Sequence, residues 1–125
     1  MNATLVCMDD LVVPSGSKAS AVEAPVNPAC YLLSRDPLGE RLTVRLFLDT
    51  SLRAGAERDA RTVPRRLRVW MAPRSDALMP PRVLFVWGPE RFAGVLDRLS
   101  ESWTRFDADG TPTRGEIELS LRGGP

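Results

Sequence analysis

The sequence contains no histidine and only two cysteines, Cys7 and Cys30. Histidine is the usual base beside a catalytic nucleophile, and with cysteine it is the usual protein ligand of zinc. Its absence, together with the wide separation of the two cysteines, excludes a zinc site of the Cys/His type and argues against nucleophilic catalysis. Two cysteines are also too few for a disulfide framework, so we expect both to be reduced and buried.

Long apolar runs and a strong net charge are missing as well. No stretch approaches the roughly 18 apolar residues of a membrane-spanning helix, so no bilayer span is predicted. Asp9 and Asp10 interrupt the beginning of the chain, which lacks the basic start and apolar core of an export signal. A net charge of +1 creates no overall field that attracts nucleic acid, so nucleic acid is not a predicted partner.

The composition that is present fits a single domain. The 125 residues are 43% apolar and 26% charged, which is enough to bury a core within one domain spanning residues 1–125. Residues 14–23 are small and polar and are predicted to form a mobile loop. Lys18 is the only lysine among the 17 basic residues. This arginine bias suits carboxylate pairing at interfaces, and it also suits the codon usage of a GC-rich genome.

Glu40–Thr50 carries the clearest secondary-structure signal, because apolar and other residues alternate along it with a period of two. This alternation predicts a half-buried strand. Arg45 and Phe47 fall on its outward face. An aromatic residue on that face is either a cross-strand packing partner or part of a surface that another chain covers. Both residues are candidate subunit contacts.

A helix is predicted from about Thr62 to Met71. Its apolar residues recur at helical spacing, Pro64 is tolerated in the first turn, and Pro73 ends the segment. Arginines fall mainly off the apolar stripe. They form either a solvated face or a contact with acidic neighbours in an assembly, and the candidate contact residues here are Arg65 and Arg66.

The C-terminal third contains one strong strand and one ambiguous segment. Arg82–Trp87 is apolar on both faces and is predicted to be covered on both sides. Phe92–Phe106 carries apolar residues on a helical stripe, yet Asp109-Gly110 is a strong hairpin signal that requires a strand before it. Local patterns leave the choice between helix and strand open.

The acidic residues do not form a convincing catalytic pair or calcium site. Asp97 and Glu101 would form a carboxylate pair only if their segment were helical. Asp107, Asp109 and Glu116 lack the ligand spacing of a calcium loop. The Asp-Ala-Asp-Gly segment, residues 107–110, is better explained by turn chemistry. We therefore predict no enzyme activity, no catalytic residue, no cofactor and no metal site.

Three segments resemble a known family. APVNPACYLLSRD (Ala24–Asp36) resembles the family pattern FNP-x-x-Y-x-x-S-R, and RLTVRLFLDTS resembles L-x-(V/M)-x-L-x-F-D-T. PPRVLFVWG with FAGVLDRLSESWTRFDADGTPTRGEIELSL resembles the block PP-x-V-x-F-x-W-G… F-x-G-V-(V/L)-x-x-(L/V)-x-x-x-(F/Y)-T-x-F-x-x-D-G-x-P-x-R-A. These are patterns of contractile injection system tube proteins, the baseplate hub or tube-initiator components of phage-tail-like particles.

Two differences from the family patterns limit what can be inferred from the resemblance. Val26 and Cys30 replace more usual residues of the first pattern. Many relatives also carry a lysin-motif domain after this one, whereas this sequence ends at Pro125, so no function of that second module is inferred.

The resemblance implies a mainly β fold with one helix (α+β), of the tube-type antiparallel β-barrel or sandwich, in which Phe92–Phe106 is a strand. It implies a homo-hexameric ring that links a spike protein to an inner-tube protein, next to baseplate wedge proteins. The implied location is the cytoplasm during assembly and then a phage-tail-like particle. The alternative is an inner-tube or cargo-adaptor module of the same kind of particle.

Overall fold

The strands predicted from alternating hydrophobicity join into one antiparallel sheet. The computed structural model of the protein describes residues 2–8, 21–37, 39–73 and 79–123. Seven strands form a sheet of order β2-β1-β5-β6-β7-β4-β3, and every neighbouring pair is antiparallel. Their bounds are β1 Asn2–Cys7, β2 Ala21–Pro25, β3 Leu32–Asp36, β4 Gly39–Asp49, β5 Arg82–Trp87, β6 Glu90–Phe106 and β7 Pro112–Arg122.

One α-helix, α1 (Thr62–Val69), and two 3-10 turns, Pro28–Cys30 and Gly55–Arg58, complete the described elements. Helix α1 packs against β2 and β6 and buries Leu67 completely. Trp70, just after the helix, is also buried and joins the same core cluster. The predicted helix is thus confirmed, and it ends at Val69, two residues before Met71.

The core lies on the inner face of the curved sheet. Leu42, Val44 and Leu46 of β4 are fully buried, as the period-2 pattern predicted. Opposite them on β7, Leu121, Leu119 and Ile117 are also fully buried. Because successive strand residues point to opposite faces, the outward positions of both strands remain available for other contacts.

Phe92–Phe106 is a strand, and a β-bulge explains its helical appearance. Leu96 pairs with Leu121, but the next pair is Arg98 with Ser120, so Asp97 is the extra residue. A bulge shifts the inward-pointing positions by one residue. Phe92 and Leu96 therefore point inward before the bulge, and Leu99 and Trp103 pack against the core after it. The resulting spacing imitates a helical stripe.

The sheet does not close into a barrel. Near the two ends of the sheet, the residues that follow β2 meet β4 through an isolated bridge between Val26 and Leu46 and a hydrogen bond from the N–H of Asn27 to the main-chain oxygen of Arg45, without a continuous ladder. The predicted mainly β fold with one helix is therefore confirmed in its sandwich-like form, whereas the closed-barrel option is not what the structure shows.

Two smaller predictions, on the loop 14–23 and on the cysteines, agree with the structure only in part. Of the predicted loop 14–23, residues 21–23 are the first residues of β2, and the remainder lies outside the described residues. Cys7 and Cys30 are not joined by a disulfide bond. Cys7 is buried as expected, but Cys30 is only half-buried.

Candidate assembly surfaces

Strands β4, β7 and β6 are neighbours in the sheet, and together they present a polar outward face. Arg45 of β4 is opposite Glu118 of β7, which is opposite Ser100 of β6. One step along, the cross-strand row contains Phe47, Glu116 and Ser102. We call these two rows, Arg45–Glu118–Ser100 and Phe47–Glu116–Ser102, the polar face.

Arg45 lies on the β4 side of the polar face, close to two carboxylates of β7. Its Nε lies 3.4 Å from Glu116 Oε2, and its Nη2 lies 3.8 Å from Glu118 Oε1. A shallow cavity of about 180 Å³ is lined by these residues and by Ser100, Glu101 and Ser102. Ion pairs that are this exposed add little stability. The arrangement therefore leaves Arg45 oriented and accessible to another chain.

Phe47 lies beside a second and larger cavity. Its side chain is 39% exposed, and its cross-strand neighbour is a glutamate, Glu116, not another aromatic residue. The cavity of about 340 Å³ runs between β2 and the end of β4, with Val63 of α1 in its lining. We call this opening between residues 23–25 and 47–49 the seam. No sequence signal marked it, since it depends on two strands that diverge in space.

The two helix arginines have different surroundings. Arg65 is exposed, and its Nη1 lies 3.7 Å from Asp59 Oδ2. Arg66 instead donates from Nη2 to the main-chain oxygen of Ala21 at 2.9 Å, which anchors the start of β2 to α1. A further cavity that Arg66 lines shares Thr50, Arg53 and Val63 with the seam. Arg66 is thus near the Phe47 surface, and part of its role is intramolecular.

The carboxylates considered for catalysis are held apart by different arginines. Asp97 accepts two hydrogen bonds from Arg41, both at 2.9 Å, across the intervening strand β7. Glu101 accepts from Arg68 of α1 at 2.7 Å. The carboxylates therefore have structural partners and do not form the acid/base pair that a helical segment would have created.

An ion pair accounts for Asp107, and a turn hydrogen bond accounts for Asp109, at the β6–β7 hairpin. Arg58 donates two hydrogen bonds to Asp107, at 2.6 and 2.7 Å, and this hydrogen bonding lowers the pKa of the Asp107 carboxyl. Asp109 accepts from the main-chain N–H of Thr111. Within residues 2–8, 21–37, 39–73 and 79–123, no group of three potential metal ligands is found. No helix in that part of the chain is long and apolar enough to cross a membrane.

Comparison with known protein families identifies the family to which this sequence is similar. The family model for contractile injection system tube proteins matches residues 34–124. The chain belongs to the contractile injection system tube protein family. This family is structural, so the protein is a tube component that assembles with other parts of a phage-tail-like particle. No curated protein sequence matches the chain.

Membership in the tube protein family confirms the resemblance inferred from the sequence. The matched range includes the strand segment 40–50 and the whole 80–122 block, but most of the first motif, residues 24–36, precedes it. Candidate contacts Arg45, Phe47, Arg65 and Arg66 all lie within the matched range, and their role in assembly remains a prediction.

Proposed function

We propose that this protein, as a single domain, forms a hexameric baseplate hub ring that initiates the inner tube and links it to the spike. The observation that carries this proposal is membership in the tube protein family. Open sheet edges on the described part of the chain support it. Baseplate wedge proteins would surround the ring, and assembly would take place in the cytoplasm.

Two open strand edges suit the growth of a ring. Among the described strands, β3 pairs only with β4, and β6 beyond Val95 pairs only with β7. Open edges are aggregation hazards in a monomer, but a neighbouring copy can continue the sheet from them. Closed cyclic symmetry would bury these edges in every copy.

The number of strands between these edges is consistent with such a ring. The sheet segment runs β3-β4-β7-β6, an even number of antiparallel strands. A rotation about the ring axis preserves strand direction, so β3 of one copy would meet β6 of the next copy in an antiparallel sense. The ladder could therefore continue around the ring without a change of pairing type.

The polar face is the surface that we assign to the channel. Arg45 is compensated by Glu116 and Glu118, and Ser100 and Ser102 add hydroxyl groups. Such a surface is hydrated and presents no apolar strip apart from Phe47. Six copies would give a water-filled lumen with an excess of carboxylates, because each copy contributes one arginine and two glutamates.

Electron microscopy of the purified particle tests the proposal through stoichiometry. One ring of six copies at the junction of spike and tube is the expected result. Many stacked rings would favour the alternative of an inner-tube protein, and substoichiometric copies would favour a cargo adaptor. Absence of the chain from the junction, or full-length tubes in a deletion strain, would contradict the hub assignment.

Arginine variants test the contact surface. Arg65→Glu reverses an exposed charge that has only a long ion pair, so assembly should weaken while the fold is retained. Arg66→Glu would also remove the hydrogen bond to β2, which makes it the less specific variant. Arg91→Glu changes an exposed arginine of β6 that lines neither of these cavities and is the control. Normal particle yield with Arg65→Glu would assign that side chain to a solvated surface.

A further inference from the structure

One cross-strand row on the outward face of the sheet is rich in arginine. Arg82 of β5 pairs with Val95 of β6, and Val95 pairs with Arg122 of β7. Arg122 in turn pairs with Arg41 of β4. Residues directly opposite each other in neighbouring strands point to the same face of a sheet. Because Leu121, the residue before Arg122, is fully buried in the core, this row points outward.

Arg98 extends the positive charge along the sheet. It pairs with Ser120 of β7, which lies two residues before Arg122 and therefore on the same face. Diagonal neighbours of this kind lie roughly 7–8 Å apart, within reach of long side chains. Arg82 and Arg122 are separated by two inter-strand steps, about 10 Å. We call Arg41, Arg82, Arg98 and Arg122 the arginine patch.

Only one arginine of the patch has a carboxylate partner. Asp97 accepts hydrogen bonds from both terminal nitrogens of Arg41, each at 2.9 Å. Arg82 donates from Nη2 to the main-chain oxygen of Ala93 at 3.1 Å. A carbonyl oxygen carries no net charge, so this hydrogen bond positions the guanidinium of Arg82 without neutralising it.

The other two arginines of the patch are unpaired. The side chains of Arg98 and Arg122 are exposed and make no hydrogen bond or ion pair in the part of the chain that the structure describes. Glu118, two residues before Ser120 on the same face of β7, lies near Arg45 instead, at 3.8 Å. Three of the four positive charges of the patch are therefore uncompensated.

The arginine patch is unfavourable for the chain on its own. Arg41 and Arg122 lie directly opposite each other, and like charges in this arrangement destabilise a sheet. Anions bound from outside would offset this repulsion. The planar fork of a guanidinium also matches a carboxylate or a phosphate through two parallel hydrogen bonds. Charge and geometry therefore both favour an anionic ligand.

The surroundings of the patch distinguish a polypeptide from a nucleic acid. Surfaces that bind nucleic acid combine basic residues with aromatic side chains that stack on bases. The cross-strand partners of the patch are Val95, Ser34 and Ser120, none of which is aromatic. Carboxylates of a polypeptide are therefore the favoured anions.

We propose that the arginine patch binds an acidic segment of a different protein chain. At least two carboxylates of this segment pair with the three uncompensated arginines. The polar face of a second copy is a poorer match, because Arg45 leaves only one of the charges of Glu116 and Glu118 uncompensated. The patch is complete within one copy, so this inference goes beyond the hub assignment and does not depend on it.

Peptide binding measured by fluorescence anisotropy tests the proposal on the full chain. The probe is a fluorescein-labelled nonapeptide in which glutamate alternates with serine. A matched peptide replaces glutamate by glutamine, and a labelled hexathymidine oligonucleotide of similar charge represents nucleic acid. We expect the glutamate peptide to bind at least about tenfold more tightly than either, because the patch pairs with carboxylates. Binding should weaken as the salt concentration rises.

Two double variants separate the local charge of the patch from the overall charge of the protein. Arg98→Gln with Arg122→Gln removes two exposed cations and no ion pair. It should lose at least about tenfold in affinity for the glutamate peptide, while its melting temperature stays equal or rises because repulsion is removed. Arg53→Gln with Arg105→Gln removes two exposed arginines near the β6–β7 turn and is the matched control. This control should bind as the wild type does.

Asp97→Asn gives an independent readout in the opposite direction. It releases the charge of Arg41 within the patch and should strengthen binding of the glutamate peptide about two- to fivefold. A patch without a binding role would not respond in this way.

Several outcomes would overturn the proposal. They are no binding of any probe, equal binding of the glutamate and glutamine peptides, tighter binding of the oligonucleotide, an equal loss in the two double variants, or no gain with Asp97→Asn. Self-association of the wild type in sedimentation velocity that is lost in Arg98→Gln with Arg122→Gln would also overturn it, since the occupant would then be a second copy.

Discussion

Replacement of Gly115 by alanine should destabilise the protein through a steric clash near the turn end of the β6–β7 hairpin. Gly115 is buried and lies directly opposite Trp103 on β6. A Cβ at this position would lie 2.6 Å from Trp103 Cε3 and 3.1 Å from Trp103 Cα, and it would overlap the main-chain oxygen of Ser102. Main-chain atoms can give way only if the two strands separate locally.

The expected change in the free energy of unfolding is the sum of two opposing contributions. Overpacking of a well-filled interior costs about 1–3 kcal/mol, and this site is at the upper end because two of the contacts are to backbone. Loss of glycine flexibility in the unfolded chain returns about 0.4–1 kcal/mol. We expect a net loss of about 2 kcal/mol in the free energy of unfolding. For a chain of this size, that corresponds to a melting temperature about 8 °C lower.

Urea denaturation and thermal melting of the two proteins measure the effect. Gly110 is the control position, because its φ of +89° favours glycine while no atom lies within 4 Å of its added Cβ. The cost at position 115 should therefore increase from alanine to serine, whereas the cost at position 110 should be similar for both. A Gly115→Ala variant within about 0.5 kcal/mol of the wild type would refute the steric reasoning.

Three further perturbations test individual interactions. Asp97→Asn should lower the free energy of unfolding by about 1 kcal/mol in urea denaturation, because it weakens the bidentate pair with Arg41 across β7; an unchanged midpoint would contradict this. The Arg58–Asp107 pair contributes stability above the ordinary carboxyl pKa of 3.8 and loses it as the pH falls through the lowered pKa, so the melting-temperature difference between wild type and Asp107→Asn should shrink on acidification; a constant difference would disprove the linkage. A thiol reagent should modify half-buried Cys30 in the native state and buried Cys7 only after unfolding, as mass spectrometry of the labelled peptides would show; equal native-state rates would contradict the burial assignment.

Much of the local structure could be predicted because its signal is short-range. The alternation along β4 and the spacing of Leu67 and Trp70 reflect which face of each element is buried. The Asp109-Gly110 turn likewise occupies the tip of the β6–β7 connection, where Gly110 has a positive φ. In these cases the residues that determine the element also lie within it.

The candidate surfaces could be predicted only in part. The outward position of Arg45 and Phe47 follows from strand alternation alone. That Arg66 is bonded to Ala21, whereas Arg65 lies near Asp59, could not be predicted, because their helix positions look equivalent. The partner of each arginine depends on how α1 docks against β2.

The sequence by itself determined the strand and helix alternation, the absence of histidine-based chemistry and, through its motifs, the family. Only the tertiary structure decided that Asp97 is a bulge residue, that Trp103 covers Gly115, and that β2 and β4 separate beyond Val26. Each of these features depends on the register between segments far apart in the chain. A period-2 pattern specifies which face of a strand is buried, but the partner strand decides where that pattern shifts and where pairing ends.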